Sequence, residues 1–456
     1  MGVLSFHVLN VAYNYKAVIA NNPPIAYYLL VAVIGYVGAF DVLFITLSAL
    51  VNTISINKQW YKRITIESTD EDKRKLANKL LKVQVIRGLF IMLMGYVSEA
   101  LLNGALLSAL LHEYPTTEEL WQHSGNALFF AQILVMIGLG NIIISYIYIQ
   151  FLRSGKSKGV IIKNFLLLTI ILLVLTPIVQ GLYDATGLSR NLRDTWWERS
   201  FIENLGNFLL APVISRFTPI FPNLAFSFIG SWIALIIADG EIKQKDLNKI
   251  LYLSMILFVA GTIMGILKLG DDYEFADAVM AEAGSLLLMV IMLYFIEVRG
   301  KTEKFAKKTV WIRRFGIVTL TLWSMQWTVI IPLEGVHWSV NLITGQNVPF
   351  LDGPIMNHLL TGWQTWGIVI LILIFFHIML VIWGKFNFKY SFEWMTVKLL
   401  SKGRKDAGER LNLSGSLYNV ESILTRAQDF YGRGTKISMF LVFFLYALVY
   451  AVVILL

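Results

Sequence analysis

Ala39-Phe-Asp-Val-Leu-Phe-Ile-Thr-Leu-Ser-Ala-Leu-Val-Asn52 sets one acid, Asp41, into a run that hydrocarbon would otherwise accept. Which solvent surrounds that run decides the fold. The 456 residues are 56% hydrophobic and only 15% charged, so the nonpolar surface cannot all be hidden in a water-soluble core. The apolar runs approach the ~20 residues that carry a helix across hydrocarbon, where backbone groups are satisfied only inside helices or closed barrels. The expected fold is an all-α polytopic membrane protein.

The hydropathy pattern predicts about eleven spans, at 2–21, 25–53, 87–111, 126–152, 160–183, 218–238, 248–268, 277–297, 312–333, 362–384 and 437–456. No charged n-region with a short apolar core and small-residue cleavage site is visible, so the first segment reads as a true helix. The chain has no cysteine, which excludes disulfides, thiolate metal sites and cysteine nucleophiles.

Loop charge sets the orientation. The loop Asn57–Lys82 carries Lys58, Lys62, Arg63, Lys73, Arg74, Lys75, Lys79 and Lys82, whereas 112–125 and 334–361 have no lysine or arginine. Residues 153–159, 239–249 and 299–314 are basic again, so the N-terminus and these loops are expected in the cytoplasm of a multi-pass cell-membrane protein. The net charge of +9 thus follows the loops, and anionic lipid headgroups account for it without nucleic acid. Closing the alternation requires 201–217, with Pro212, to be interfacial or re-entrant. The domain reading is a helical domain over 1–384, a cytoplasmic segment over 385–436 and a last helix over 437–456. In the middle segment Phe392, Trp394 and Leu399 among lysines fit a helix lying on the membrane surface or a solvated linker. The sequon Asn412-Leu-Ser414 falls on the same side and is expected to stay unused.

An ionisable group at membrane depth costs at least a few kcal/mol, so it is expected to face a cavity and a partner. By this criterion Asp41, His7, Arg87 and Glu99 stand out, with Asn10, Asn103, Asn141 and Gln326 as uncharged company. His377 reads as structural. The clustering in the first three helices points to a shared polar core. Phosphate-binding loops, dinucleotide fingerprints and His-Glu-x-x-His are absent. Histidines 112, 123, 337 and 358 lack ligand spacing, so no metal is expected. Gly261-Thr-Ile-Met-Gly265 reads as a close helix contact.

Several stretches, in order, resemble the transmembrane acyltransferase superfamily, which includes YeiB-like proteins, heparan-α-glucosaminide N-acetyltransferases and acyltransferase family 3. They are Asp41-Val-Leu-Phe-Ile-Thr-Leu-Ser-Ala-Leu, Lys82-Val-Gln-Val-Ile-Arg87, Gln132-Ile-Leu-Val-Met-Ile-Gly138, Pro219-Ile-Phe-Pro222 through Gly230, Arg313-Arg-Phe-Gly316 through Gln326, and Phe388-Lys-Tyr-Ser-Phe-Glu393-Trp394. Ala49 stands where that family usually has glycine, and the Arg-Gly opening its first helix is missing before His7. The resemblance implies transfer of an acyl group, acetyl foremost, from acyl-CoA to a hydroxyl or amine of a sugar, glycolipid or cell-envelope acceptor. It implies His7 as general base with Asp41 or Glu99 orienting it, and Arg63, Lys82, Arg87, Arg313 and Arg314 as holders of the CoA phosphates. Membrane lipids, acyl-CoA and the acceptor are the expected partners, with homo-oligomers open. The same buried groups also suit a transporter or flippase of a polar or lipid-linked molecule, and the shortened first motif suits a non-catalytic assembly subunit.

Overall fold

The computed structural model describes residues 32–33, 35–39, 41–65, 67–101, 122, 133–185, 196–214, 219–267, 274–345, 362–401, 408, 411–418, 422, 424 and 430–455. The expected first span, with His7 and Asn10, lies outside them, as do Asn103 and histidines 112, 123 and 358. Regular structure among the described residues is entirely helical, and eight helices are long and apolar enough to cross a membrane. The chain forms two compact units, the larger from Phe40–Val97, Gly125–Phe305 and Glu421–Leu456.

The larger unit begins with α1 (Asp41–Arg63) and α2 (Asp70–Val97), followed by α3 (Ile133–Arg153), α4 (Lys158–Ala185) and α5 (Phe201–Ile214). Then come α6 (Ile220–Ile237), α7 (Gln244–Ile266) and α8 (Glu274–Met292), which runs on through a π turn to Val298. The expected loop over Asn57–Lys82 is a correction: only residues 64–69 separate α1 from α2. Neither proline nor glycine occurs between Asn52 and Gly88, so nothing stops the helices at the membrane surface. Thr69 and Asp72 close the gap with a reciprocal cap, Thr69 N–H donating to Asp72 at 3.1 Å and Asp72 N–H to Thr69 Oγ1 at 3.2 Å. One placement changes as a result. Arg87 lies well inside α2 rather than at the start of a span. Asp41 opens α1.

Small residues set the packing directions. A Cβ on Gly88 would lie 2.6 Å from Gly138 O, and one on Gly95 3.0 Å from Leu134, so α2 and α3 cross antiparallel at close range. Ser48 meets Asn141 and Asn52 meets Ser145, which makes α1 and α3 parallel. Gly261 faces Ala276 and Met280 while Ser254 donates to Ala283 O, fixing α7 and α8 as an antiparallel pair. With α1 parallel to α6 through Thr46–Phe226 and Thr53–Ser231, the connections 64–69, 154–157, 238–243 and 299–301 gather at one end. There stand Lys62, Arg63, Arg153, Lys156, Lys158, Lys243, Arg299 and Lys301, and Lys158 pairs with Asp239. Four connections that the charge pattern assigns to the cytoplasm thus gather at one end of the larger unit. Single cysteines test the assignment: in this cysteine-free chain, Leu267→Cys at the opposite end is expected to react with an impermeant thiol reagent on intact cells. Ser157→Cys is expected to react only after permeabilisation, and the reverse pattern would invert the orientation.

The expected interfacial stretch 201–217 is largely α5, 14 residues long and thus ~21 Å, short of the ~30 Å hydrocarbon core. Ser200 and Glu203 cap its start reciprocally, which holds the exposed Glu203 carboxyl below the usual range. Phe201, Ile202, Leu205 and Leu209 are exposed along it.

The smaller unit comprises Met1–Ala39, Ser98–Ser124 and Ala306–Val420. The expected span 312–333 is not one helix but α9 (Val310–Ile317), α10 (Thr319–Ser324), a 3-10 turn (Gln326–Val329) and then α11 (Ile330–Thr344). The helical backbone lapses at Val318 (φ −114°, ψ 36°) and at Met325 (φ −102°, ψ 16°). These pieces pack on α12 (Gly362–Lys385) through Phe315, Val318, Leu322, Ile368, Ile372 and Phe376. The helix expected around Phe392–Leu399 is α13 (Phe392–Ser401), with Trp394 nearly buried and Lys398 over its ring at 4.8 Å. The last helix, α14 (Arg433–Tyr450), belongs to the larger unit.

Candidate functional site

The larger unit has its polar centre on α1. Thr46 and Thr53, seven residues apart, share one face, while Ser48 and Asn52, four apart, share another. On the first face Thr53 Oγ1 donates to Ser231 Oγ at 2.9 Å. On the second, Asn141 Nδ2 donates to Ser48 Oγ and Asn52 Nδ2 to Ser145 Oγ, each at 2.8 Å. Tyr148 Oη donates to Asn57 Oδ1 at 2.6 Å and ends the seam toward the basic end. Hydrogen bonds of this kind contribute ~0.6 kcal/mol each in a membrane, so together they register the helices more than they stabilise them.

At the other end of the seam stands Glu282 of α8, fully buried. Thr46 Oγ1 lies 2.9 Å from each of its carboxyl oxygens and 3.3 Å from Phe226 O. A threonine has one hydroxyl proton, so Thr46 donates either to the carboxyl or to the Phe226 carbonyl. The relay is complete when Glu282 itself holds a proton: Glu282 donates to Thr46, and Thr46 to Phe226 O. Among the described residues no ion pair reaches Glu282. Gly230 is what lets α6 come this near, since a Cβ there would lie 2.1 Å from Thr46 O.

The smaller unit carries a second buried acid, Glu393, in the short stretch ending Glu393-Trp394. Its Oε1 accepts the Leu320 and Thr321 N–H groups and its Oε2 the Thr321 hydroxyl at 2.7 Å, while Phe392 N–H donates back to Thr321 Oγ1 at 2.8 Å. The carboxyl thus caps the amides freed by the helix break at Val318, which explains why the span 312–333 is interrupted there. The turn leading to it is strained. Asn387, Phe388 and Tyr390 all have positive φ, at a cost of order 1–3 kcal/mol each, and are held by a buried Phe388 and by Asn387 bridging to Leu411 O and Ser414 N–H at 2.8 Å.

Burial pushes the Glu393 carboxyl up, against the hydrogen bonds from Thr321 and Leu320. A raised acid binds its proton more tightly folded than unfolded, so the associated stability is full below the ordinary glutamate pKa of ~4.5 and falls as pH rises through the raised value. Hydrogen exchange at Leu320 and Thr321 is expected to speed up across that window beyond the intrinsic base-catalysed rise. In Glu393→Gln this extra pH term should vanish. Glu393→Ala, leaving two buried amides unpartnered, is expected to accelerate exchange about tenfold or more, from ~1–3 kcal/mol of lost pairing. Unchanged exchange in the alanine variant would remove the cap.

Of the sequence-derived site residues, His7 lies outside the described residues, and so does the side chain of Asp41. Glu99 sits half-buried in the π turn that follows α2, and Arg87 is half-buried in α2. Lys82 is exposed on α2, and Arg63 is exposed at the basic end. Arg313 is committed locally, its guanidinium donating to the carbonyls of Ser416 and Leu417, and the neighbouring Arg314 is half-exposed. Arg63, Lys82 and Arg87 belong to the larger unit, while Arg313, Arg314 and Glu99 belong to the smaller. His377 stacks on Phe315 with ring centroids 6.4 Å apart, in keeping with a structural role. Among the described residues no cluster of histidines and acids could hold a metal ion. Glu282 and Asp277 were not among the expected site residues, although both fall, with Glu297 at its end, inside the expected span 277–297. The signal was the one applied to Asp41, an acid in an apolar run. Comparison with protein-family models, curated proteins and solved structures finds no match for this chain.

Proposed function

We propose that this chain is an integral-membrane acyltransferase-like protein of the cell membrane. In this reading it moves an acyl group, acetyl foremost, from acyl-CoA to a hydroxyl or amine of a sugar, glycolipid or cell-envelope acceptor. The observation that supports it most is the polar seam on α1. The segment that opens the resemblance, Asp41 to Leu50, is the same segment that carries Thr46 and Ser48 to Glu282 and Asn141. An internal row of hydroxyls, amides and one acid is the polar core that chemistry on a polar acceptor inside an apolar bundle calls for. His7 acts as base in this reading, because a neutral imidazole takes the acceptor's proton as the thioester carbonyl is attacked. Arg63, Lys82 and Arg87 hold the CoA phosphates, and Arg313 serves the backbone instead.

The test is release of CoA from radiolabelled acetyl-CoA by the purified protein in detergent. Wild type is expected to bind and turn over the thioester, and His7→Ala to lose about 10²- to 10⁴-fold in rate while binding CoA as before. A wild-type protein that binds no acyl-CoA would overturn the reading.

Glu282 favours one rival. A fully buried acid met, among the described residues, by a hydroxyl suits a proton-coupled transporter, in which case proteoliposomes would take up protons with a polar cargo and leave acetyl-CoA intact.

A further inference from the structure

We infer that the groove between α7, α8 and α14 is a binding site for one acyl chain of an anionic phospholipid. The site is independent of the acyl-transfer reading. Its cavity, about 220 Å³, is walled by Leu251, Met255, Leu287, Met439 and Val442. Its length is large for its volume: from Thr435 to Tyr446 the wall of α14 spans eleven residues, ~16 Å of helix rise. A long, narrow, apolar slot fits an extended hydrocarbon chain better than a compact polar ligand.

The two ends of the slot differ. At the inner end Tyr446 stacks on Phe258, with ring centroids 3.7 Å apart and planes within 1°, and closes the groove. Toward the other end the lining turns polar with Asn248, Thr435 and Ser438. Asn248 is itself fixed there by the Tyr431 hydroxyl. This mouth lies at the basic end of the bundle. Lys245 is exposed one turn before Asn248, Arg433 is exposed at the start of α14, and Lys249, also exposed, pairs with Asp246. One side of the groove is open, since Tyr252 and Met255 are 61% and 52% exposed. A lipid therefore enters laterally with its headgroup level with the cations. The cytoplasmic leaflet, to which the basic end is assigned, is where anionic headgroups concentrate.

Spin-labelled phosphatidylglycerol and phosphatidylcholine in nanodiscs holding the full chain test the site. Wild type is expected to immobilise phosphatidylglycerol in preference to phosphatidylcholine. Ser438→Trp, filling the slot from an exposed position, is expected to abolish that immobilised fraction. Replacing Lys245, Lys249 and Arg433 with alanine is expected to lower the preference by roughly fivefold per cation, from about 1 kcal/mol for each basic residue near the surface. Equal immobilisation of both lipids, or a phosphatidylglycerol fraction that survives Ser438→Trp, would overturn the site. Should Ser438→Trp fail to fold, a photo-crosslinking residue at Ser438 decides. An adduct of phosphatidylglycerol mass supports the site, and a crosslink to a second copy of the chain or no lipid adduct overturns it.

Discussion

Gly230→Ala is expected to abolish the folded protein. The new methyl would sit 2.1 Å from the Thr46 carbonyl oxygen and 2.9 Å from its carbon, both backbone atoms that no rotamer change can move. Relief requires α1 and α6 to part, and α1 is held on its other sides by α3 and α8. Overpacking typically costs ~1–3 kcal/mol where side chains can adjust, and here they cannot. The monodisperse gel-filtration peak in detergent is expected to be replaced by aggregate. Gly159→Ala, where nothing lies within 4 Å of the new methyl, is the matched control and is expected to behave as wild type. A soluble, monodisperse Gly230→Ala protein would show that the α1–α6 contact is looser than described.

Glu282→Gln carries the second large effect. The amide keeps the size of the side chain and can still meet Thr46, so expression and thermal stability in detergent are expected to stay near wild type. What it loses is an exchangeable acid at the end of the seam. Proton-linked uptake under the rival reading is expected to fall by about 10² or more, while acyl-CoA turnover with His7 as base is expected to persist. Glu282→Leu is the contrasting substitution. It leaves folding intact if the acid serves chemistry alone, and Thr46 still reaches the Phe226 carbonyl. Full proton-linked uptake in Glu282→Gln would assign the acid to packing.

The membrane class, the helical architecture and most helix positions were readable because lipid imposes long apolar segments, and charge along the loops reported which ends share a side. What composition could not report was length beyond the bilayer. Lysine and arginine marked 57–82 as a loop, yet both are good helix formers, and α1 and α2 continue through them. Nor was the broken span 312–333 legible, because its interruption depends on Glu393, some seventy residues later, taking the amides of Leu320 and Thr321. In the site, Asp41 drew attention as the acid of its stretch, whereas Thr46, five residues on, proved to be the contact to a buried acid. A threonine in an apolar helix is unremarkable by composition. It becomes informative only when its partner on a distant helix is known, and long-range pairing is what one sequence withholds.

Those same pairings bear on how the protein is made. α1 has a polar face and is not among the eight helices that, in the described residues, are apolar enough to span by composition, yet its side chains hydrogen-bond to Asn141 and Ser145 of α3, Phe226 and Ser231 of α6, and Glu282 of α8. All of them emerge from the ribosome later. During synthesis α1 enters the bilayer with Thr46, Ser48, Asn52 and Thr53 unpartnered, and insertion scales penalise polar groups at that depth. Those side chains therefore gain their partners in steps, from α3 first, then α6, and from α8 last. For a central helix whose described partners on other helices all lie downstream, assembly completes late: a ribosome stalled before Glu282 leaves Thr46 without its acid, although α3 and α6 are already made.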